Sequence, residues 1–510
     1  HLNGALKLDA YSDSAIRAIA VSGTGSDKVA VGGSLTFNLI EDSVTARVAD
    51  STVEAGSASV VARDRDDETD DRASIWSLAG NVMGSSGSAA VGGAFAVNEI
   101  DNTIAATVDE STLTVGGKTK VAAETGGEIY SIAVGGSGAE GTAAGLSSTI
   151  NTITKSAIAA VTNTTLTDGA GSGALDVYAT DRKADGANGS VIWSLAGNIA
   201  GAGKVAAGFA VSVNDISNEL KAEVADSTVT LDGAVAIKAD SGAEIKSAAA
   251  AGGGAGKAAV MGAATANHIA NSTTARLAGG EVNAASLNVH ATERNDHAGA
   301  RASIWSLAGN VGGAGNASIG AALAENLVTN TVLAEIDGGE HEIGGATEVK
   351  TESGAEIMTM AVGGGGAGSV AAGASVTVNT ITNEAIARVQ NAVLTDGAGN
   401  AGSLSVTASD RLPDEAADLT NSGTRIWSLA GNAQGAGTTA VGGAAAVNTV
   451  SNTLAAEVND STVDVGGAVK VDADSATEIK TIAVAGGGSG TAAVMGSIAV
   501  STIANTVQAV

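Results

Sequence analysis

The sequence predicts an all-β chain folded as a parallel β-solenoid of about nine half-repeats, each of roughly 53–59 residues, in two alternating types. Three observations support this prediction: one pattern recurs along the chain, its runs alternate in polarity with a period of two, and the side chains are small. The chain has 510 residues, of which 71 are Gly, and aromatic residues make up only 2%. Such small residues fill a thin layer between close sheets, whereas a thick globular core needs bulkier groups.

Composition excludes several classes of protein. A hydrophobic content of 44% with a single Pro argues against general disorder. The absence of Cys excludes a disulfide scaffold and thiol chemistry. A net charge of −28 repels nucleic acid and anionic membranes, so no nucleic-acid partner is expected. The uncharged runs contain many Gly, Ser, Thr and Asn and recur in every unit, so we predict no membrane span in this segment.

The repeats fall into two types. The heptapeptide Ile75–Asn81 recurs from Ile192, Ile304 and Ile426, and these four copies contain all four Trp residues of the chain. Between them lies a related form without Trp, usually preceded by Glu. We name the two forms the Trp type and the Glu type. The half-repeats start near residues 16, 75, 129, 192, 245, 304, 357, 426 and 479, so residues 1–510 are predicted to form one continuous repeat region.

Each half-repeat shows the same elements in the same order. A short alternating run, as in Ile75–Asn81, leads into a Gly-rich stretch and then into a run such as Ala90–Asn98. A β-branched run such as Asn102–Val108 follows, then an Asp-Ser-Thr turn and a last short strand. Alternation with Val, Ile and Thr, broken by Gly and Asp or Asn, is typical of short strands. No stretch has the 3.6-residue period of a helix.

One unit alone cannot bury both faces of its strands, and stacking of identical units satisfies the backbone and builds a continuous core. In-register stacking places Ile75 beside Ile129 and Asn98 beside Asn151. With one turn per half-repeat, nine turns of about 4.8 Å give a rod about 43 Å long, and two turns per half-repeat would double that length. The sequence leaves these two alternatives open.

One Asn position recurs in eight of the nine units, and Ser501 occupies it in the ninth. Stacked Asn side chains can hydrogen-bond along the axis, as in Asn ladders of cross-β structures, at about 1 kcal/mol per bond. The alternative is that these residues only tolerate turn geometry. A second Asn follows four residues later in seven units. The predicted ladder residues are Asn38, Asn98, Asn151, Asn214, Asn267, Asn326, Asn379 and Asn448.

The position after the first Ile carries Trp in four units and Arg or Lys in three others, so alternation places it on the outer face. The four Trp-type units also have a longer preceding loop that opens with an acidic residue and Arg. The loop either folds over Trp, with Arg on the indole, or leaves a Trp row exposed for a sugar or a partner surface. The residues concerned are Trp76, Trp193, Trp305, Trp427, Arg65, Arg182, Arg294 and Arg411.

No catalytic site is predicted. The five His residues do not repeat and lack metal-ligand spacing, and no nucleophile elbow or phosphate-loop Lys is present. We predict no cofactor. The acidic loops at 64–71 and 414–418 keep Ca²⁺ open as an alternative to a solvated acidic face, although no Ca²⁺-binding loop motif occurs.

Runs such as 441–453 and 460–473 resemble the repeats of long bacterial surface proteins, the filamentous-haemagglutinin-like and autotransporter-like adhesins. The resemblance covers the whole chain and implies a right-handed parallel β-solenoid, export across a Gram-negative envelope and an extracellular or cell-surface location. It supplies no catalytic residues. The expected function is a structural fibre or stalk, and the alternative is a module that binds carbohydrate or another cell through its loops and Trp row.

Neither end of the sequence shows a helix, a Pro-rich cover or a charged cap. Uncovered solenoid ends present unpaired strand edges that accept further strands. We therefore expect either continuation of the same chain or end-to-end self-association into a filament, with the acidic surface keeping rods apart laterally.

Overall fold

The residues that the structure describes form four parallel β-sheets that run the length of the molecule, which is a parallel β-solenoid. The structure is a computed structural model that describes residues 2, 4–64, 72–181, 189–293, 302–397, 401–410 and 423–510. No helix occurs among these residues. We name the sheets A to D in the order in which the chain enters them in each coil.

Sheets A and B each contain nine strands, one from every coil. The strands of sheet A are Ala5–Tyr11, Ser57–Arg63, Lys118–Glu124, Ala174–Thr180, Ala234–Asp240, Ser286–Thr292, Ala346–Glu352, Ser403–Ser409 and Val469–Asp474. The strands of sheet B are Ala15–Ser26, Ala73–Ser85, Gly127–Ala139, Ser190–Ala202, Ala243–Ala255, Ala302–Ala314, Ala355–Ala367, Thr424–Ala436 and Thr477–Ser489.

Sheet C has 14 strands because the long strands of the first four coils become two shorter strands in the later coils. The long strands are Val29–Ala49, Ala89–Asp109, Thr142–Thr162 and Val205–Ala225. The later pairs are Ala258–Ile269 and Ser272–Ala278, Ala317–Val328 and Thr331–Asp337, Val370–Ile381 and Glu384–Gln390, Thr439–Val450 and Thr453–Asn459, and Ala492–Ile503 and Thr506–Ala509.

Sheet D is the narrowest, with eight strands of three or four residues. They are Thr52–Ala55, Thr112–Val115, Thr165–Asp168, Thr228–Thr230, Glu281–Ala284, Glu340–Ile343, Val393–Thr395 and Thr462–Asp464.

Every half-repeat makes one coil, which resolves the question that the sequence left open. Ile75 pairs with Ile129, which pairs with Ile192, and Asn98 pairs with Asn151. The predicted stacking register is therefore confirmed. Nine coils at about 4.8 Å per coil give a rod about 43 Å long.

The core has a thick part and a thin part. Between sheets A, D and the second half of sheet C lies the thick part, filled by stacked Val, Leu and Ala such as Val121, Leu175 and Val224. An Ile column, which includes Ile75 and Ile100, marks the boundary. Beyond it, sheet B and the first half of sheet C approach closely over Ala side chains such as Ala196 and Ala210. These two sheets form a thin blade on the solenoid.

The turn from sheet C to sheet D requires the left-handed backbone conformation. Asp and Asn tolerate this conformation better than other residues with a Cβ, and Gly adopts it freely. This explains the recurring Asp-Ser-Thr signal of the sequence. The turn residues with positive φ are Asp50, Glu110, Asn163, Asp226, Asn391 and Asp460, and Gly279 and Gly338 take this role in two coils.

The turn at the tip of the blade carries Gly in coils two to nine for a steric reason. A Cβ at any of these positions would lie 2.1–2.3 Å from a backbone carbonyl oxygen of the preceding coil. The requirement arises from stacking and not from φ, because none of these residues has a positive φ. The column consists of Gly87, Gly141, Gly203, Gly256, Gly315, Gly368, Gly437 and Gly490.

We expect Gly368→Ala to lower the free energy of unfolding by about 1–3 kcal/mol, because overpacking against a rigid backbone forces the coils apart. The added Cβ would meet the carbonyl oxygen of Gly315 at 2.1 Å. The matched control is Gly366→Ala, two residues earlier, where a Cβ meets nothing within 4 Å. Urea unfolding followed by circular dichroism measures both. Equal stability of the two variants would contradict the steric argument.

Candidate functional site along the axis and the outer face

The eight predicted Asn residues form one uninterrupted ladder inside the blade. Strand alternation turns them inward, and none is more than 6% exposed. The Nδ2 of each Asn donates to the Oδ1 of the Asn in the next coil at 2.7–2.8 Å, in seven consecutive bonds. All seven bonds point the same way, so each polarises the next.

The ladder ends in hydroxyl groups where the ninth coil has no Asn. Asn448 Nδ2 donates to Ser428 Oγ at 3.0 Å and to Thr481 Oγ1 at 2.7 Å. Thr481 Oγ1 in turn lies 2.7 Å from Ser501 Oγ. The last amide of the ladder is therefore satisfied, as a buried polar group must be.

The second Asn set forms a different kind of ladder from the one that the sequence suggests. In five successive steps from Asn218 to Asn505, and in one separate step at Asn102, the side-chain Oδ1 accepts from the backbone N–H of the equivalent residue in the preceding coil, at 2.9–3.1 Å. In the later coils these residues lie where sheet C is interrupted, as at Asn271 and Asn330. Their side chains thus replace strand hydrogen bonds that the bend removes.

Buried carboxylates hold the amides of this second set, and the sequence did not identify them as structural. Asn102 Nδ2 donates to Asp64 at 2.7 Å and Asn218 Nδ2 to Asp181 at 2.8 Å. Three of the carboxylates also accept a hydrogen bond from a backbone N–H of the next coil: Gly126 N donates to Asp64 at 2.8 Å, and Asp181 and Asp410 accept in the same way. The four residues are Asp64, Asp181, Glu293 and Asp410, none more than 1% exposed.

A signal for this role exists in the sequence. In the stacked positions at the end of sheet A, acidic residues in the Trp-type coils alternate with Thr125, Ser241, Ser353 and Ser475 in the Glu-type coils. The hydroxyl of Thr125 donates to Asp64 at 3.0 Å, and that of Ser475 donates to Asp410 at 3.0 Å. The acidic–Arg pair of each loop was interpreted as one unit, but its acidic member belongs to the core.

Lys155 is the largest fully buried side chain among the described residues, and it occupies the second Asn column in the third coil. Its Nζ lies 3.2 Å from Asp64 Oδ2 and 3.2 Å from Thr125 Oγ1, and it also donates to the carbonyl of Gly126. Burial lowers the pKa of Lys155, and the negative charge of Asp64 opposes that shift.

The Trp residues lie in one column on the outer face of sheet B. Trp76, Trp193 and Trp305 are 38%, 39% and 51% exposed, and Trp427 is half-buried. Cations occupy every fourth coil, and an aromatic residue or Met separates the two Trp in each interval. From the first coil to the ninth, the column reads Arg17, Trp76, Tyr130, Trp193, Lys246, Trp305, Met358, Trp427 and Lys480.

Two shallow grooves open beside this column. One, of about 500 Å³, is lined by Arg17, Trp76, Glu128 and Tyr130, among others. The carboxylate of Glu128 in this groove forms an ion pair with Arg72 at 2.8 Å. A hydrogen bond to Glu128, together with burial, raises the pKa of Tyr130 to about 12. The other groove, of about 290 Å³, lies at Met358, Trp427 and Lys480. Each combines an aromatic platform with carboxylate and cationic groups.

Other predicted site residues lie outside the described residues. These are Arg65, Arg182, Arg294 and Arg411, together with most of the acidic loop at 64–71 and all of that at 414–418. Among the residues that the structure does describe, no three His, Asp or Glu side chains are grouped so as to hold a metal ion. Within the same residues, no helix is long and apolar enough to cross a membrane.

Replacing Asn214 by Ala in the middle of the ladder should lower the free energy of unfolding by about 3 kcal/mol. The variant loses bonds to Asn151, Asn267 and Ser212 and leaves buried amide groups unpaired, at about 1 kcal/mol or more each. Ser217→Ala, three residues later on the outer side of the same strand, is the control. Urea midpoints measure the stability of both variants. If Asn214→Ala loses no more stability than Ser217→Ala, the ladder is not a source of stability.

Lys155 and Asp64 should be energetically coupled. Each single variant, Lys155→Met or Asp64→Asn, leaves a buried charge without its counterion and should cost about 3 kcal/mol. The double variant should cost clearly less than the sum, as a double-mutant cycle of urea unfolding measures. Additive effects would contradict the coupling.

The same pair predicts a pH dependence. The pKa of Lys155 is lower in the folded state than in the unfolded chain, where the pKa of Lys is 10.5. Stability should therefore rise with pH from the lowered folded pKa up to about 10.5. Lys155→Met should lack this rise, and an identical alkaline profile for the two proteins would contradict the prediction.

Comparison with known proteins supplies no relative for this chain. No protein-family model matches it, no curated protein matches it, and no solved structure matches it. Its function has to be inferred from the geometry of its own residues.

Proposed function

We propose that this chain is the rod of a structural fibre or stalk on a bacterial cell surface and that it carries no catalytic site. The observation that carries the proposal is the Asn ladder, which joins eight consecutive coils through direct side-chain hydrogen bonds. A protein that serves as a spacer needs the same contacts at every level, and a specific site needs residues that occur once.

The mechanics of the rod support this role. Backbone hydrogen bonds between parallel strands run along the solenoid axis in all four sheets, so axial stiffness comes from every coil. Each coil contacts only its neighbours, so length is added without a change in the core.

Imaging and localisation test the proposal. Electron microscopy of the purified chain should show straight rods of about 43 Å for nine coils, or multiples of this length after axial assembly. Antibodies against the chain should label intact cells of the native host, and protease added outside the cells should remove the label. A purely cytoplasmic location would refute the surface role, and flexible collapsed particles would refute the rod.

A second candidate is carbohydrate binding by the Trp column. The side chains of Trp76, Tyr130 and Trp193 form a row in which the last two rings are 6.4 Å apart, next to the Arg72–Glu128 pair. Aromatic faces beside carboxylates offer both stacking and hydrogen bonding to a sugar.

A glycan array discriminates the two candidates. Binding that is lost in Trp76→Ala with Trp193→Ala, but kept when exposed Lys470 on sheet A is changed to Ala, would favour the carbohydrate module. The absence of any glycan binding by the wild-type chain, with rods on the cell surface, would favour the fibre.

A further inference from the structure

The outer face of sheet B is apolar over most of its width. Past the Trp column, each strand presents four more outward positions, and all of them hold Ala, Gly, Val, Ile, Leu or Met. Charged residues in these strands stand only at the outward positions before or within the Trp column, such as Glu128 and Lys246. Beyond the Trp column, therefore, no charged side chain of this face opposes contact with another rod. Soluble monomers rarely expose so large an apolar patch.

The size of the side chains on this face varies with the two alternating types of coil. We number the outward columns one to five from the Trp column to the tip of the blade. In column three, the Glu-type coils carry Val, or Ala at Ala250, and the Trp-type coils carry Gly. In column four, the Glu-type coils carry Gly and the Trp-type coils carry Val, Ile199 or Ala433. Thus Val134 stands next to Gly136 in one strand, and Gly197 next to Ile199 in the following strand.

Columns two and five show the same contrast without alternation. Column two is bulky in eight coils and Ala in the fifth, and it consists of Ile19, Leu78, Ile132, Leu195, Ala248, Leu307, Met360, Leu429 and Ile482. Column five is Gly in all nine coils: Gly25, Gly84, Gly138, Gly201, Gly254, Gly313, Gly366, Gly435 and Gly488.

Nothing inside the chain requires these glycines. None of them has a positive φ, and a Cβ at Gly201 or Gly313 would meet no atom within 4 Å. At Gly136 and Gly197 the nearest atoms lie 4.0 and 3.9 Å away, which is ordinary contact. Gly in a strand interior weakens the strand and marks a place where another surface approaches closely. This contrasts with the Gly column at the blade tip, which the preceding coil demands.

A single two-fold axis places every bulky residue of columns two to five opposite a small residue in a second copy. An axis parallel to the rod, between columns three and four, brings column three opposite column four of a second copy at the same coil, and column two opposite column five. Val134 then faces Gly136 of the second copy, and Leu195 faces Gly201. Each bulky residue meets a glycine, and the contact is the same for both copies, as a closed two-fold dimer requires.

The area is large enough for a stable dimer. Nine strands span about 43 Å along the axis, and columns two to five span about 26 Å across it, or roughly 1,100 Å² per copy. Stable interfaces need about 800 Å² per partner. Because no charged side chain lies within this area, no ion has to lose its water on contact.

We propose that two copies of this chain pair laterally, with rods parallel and in register, through the outer faces of sheet B. The two sheets would lie about 10 Å apart, with Leu and Val of one copy seated over Gly of the other. This pairing does not depend on a surface location of the chain, so it stands or fails independently of the proposed fibre.

Sedimentation velocity of the full chain over a concentration series tests the pairing. The wild type should show a monomer–dimer equilibrium. Gly201→Leu with Gly313→Leu fills two holes that face Leu195 and Leu307 of the second copy, and it should weaken dimerisation at least about tenfold. Circular dichroism and urea unfolding verify that these variants stay folded, since the added side chains point into open space.

The decisive variant exchanges knob and hole. Adding Leu195→Gly and Leu307→Gly to the filled variant restores a bulky residue opposite a glycine at both levels, and dimerisation should recover. A control, Ala236→Leu with Asn288→Leu on the outer side of sheet A, should dimerise like the wild type. End-to-end assembly is distinguished from this lateral dimer because it forms species larger than a dimer and is not changed by substitutions at these positions.

Three results would overturn the proposal. They are a wild-type chain that stays monomeric at all concentrations, a filled variant that dimerises as well as the wild type, and an exchanged variant that does not recover.

A lipid surface as the occupant is tested with neutral phosphatidylcholine vesicles. Vesicle binding by a monomeric wild type, lost after Val82→Lys with Val311→Lys, would replace the second copy by a membrane.

Discussion

In-register parallel stacking is the constraint on which the whole structure depends. Every strand pairs with its equivalent in the next coil. Each residue therefore has, directly above and below it, the residues at the same position of the neighbouring coils. A buried amide such as Asn151 is then costly alone but stable in a column, where each neighbour satisfies it. The same rule forbids a side chain at the blade tip, because each Gly lies against the backbone of the coil before it.

The thin blade follows from this rule together with the small side chains. Ala columns between sheet B and the first half of sheet C let the two sheets approach, and the Asn ladder supplies polar bonds where little apolar volume is available. The thick part between sheets A, C and D is conventional by contrast, with Val, Leu and Ile in full burial. Stability therefore rests on dispersion and burial on one side of the section and on axial hydrogen bonds on the other.

Much of this fold is visible in the sequence because a repeat reports its own register. Asn98 and Asn151 occupy the same place in their units, so their pairing requires no knowledge of the path between them. The contacts across a coil are different. Asn102 and Asp64 are 38 residues apart, and Gly126 and Asp64 are 62 apart, so their meeting depends on how the sheets bend around the core. The four-residue offset from Asn151 places Lys155 in the second Asn column, but nothing in the sequence indicates that this Lys is buried beside Asp64. For the same reason, the acidic residues of the loops were assigned to the surface.

The alternation of acidic and hydroxyl residues at the end of sheet A imposes a parity on the molecule. Asp64, Thr125 and Asp181 succeed one another in adjacent coils, so each carboxylate has hydroxyl-bearing neighbours on both sides. Loss of a single coil by recombination would place two buried carboxylates about 4.8 Å apart, where like charges repel strongly. Loss or gain of two coils preserves the order. The heritable unit of length in this protein is consequently the pair, and a gene for such a rod grows or shrinks in even steps.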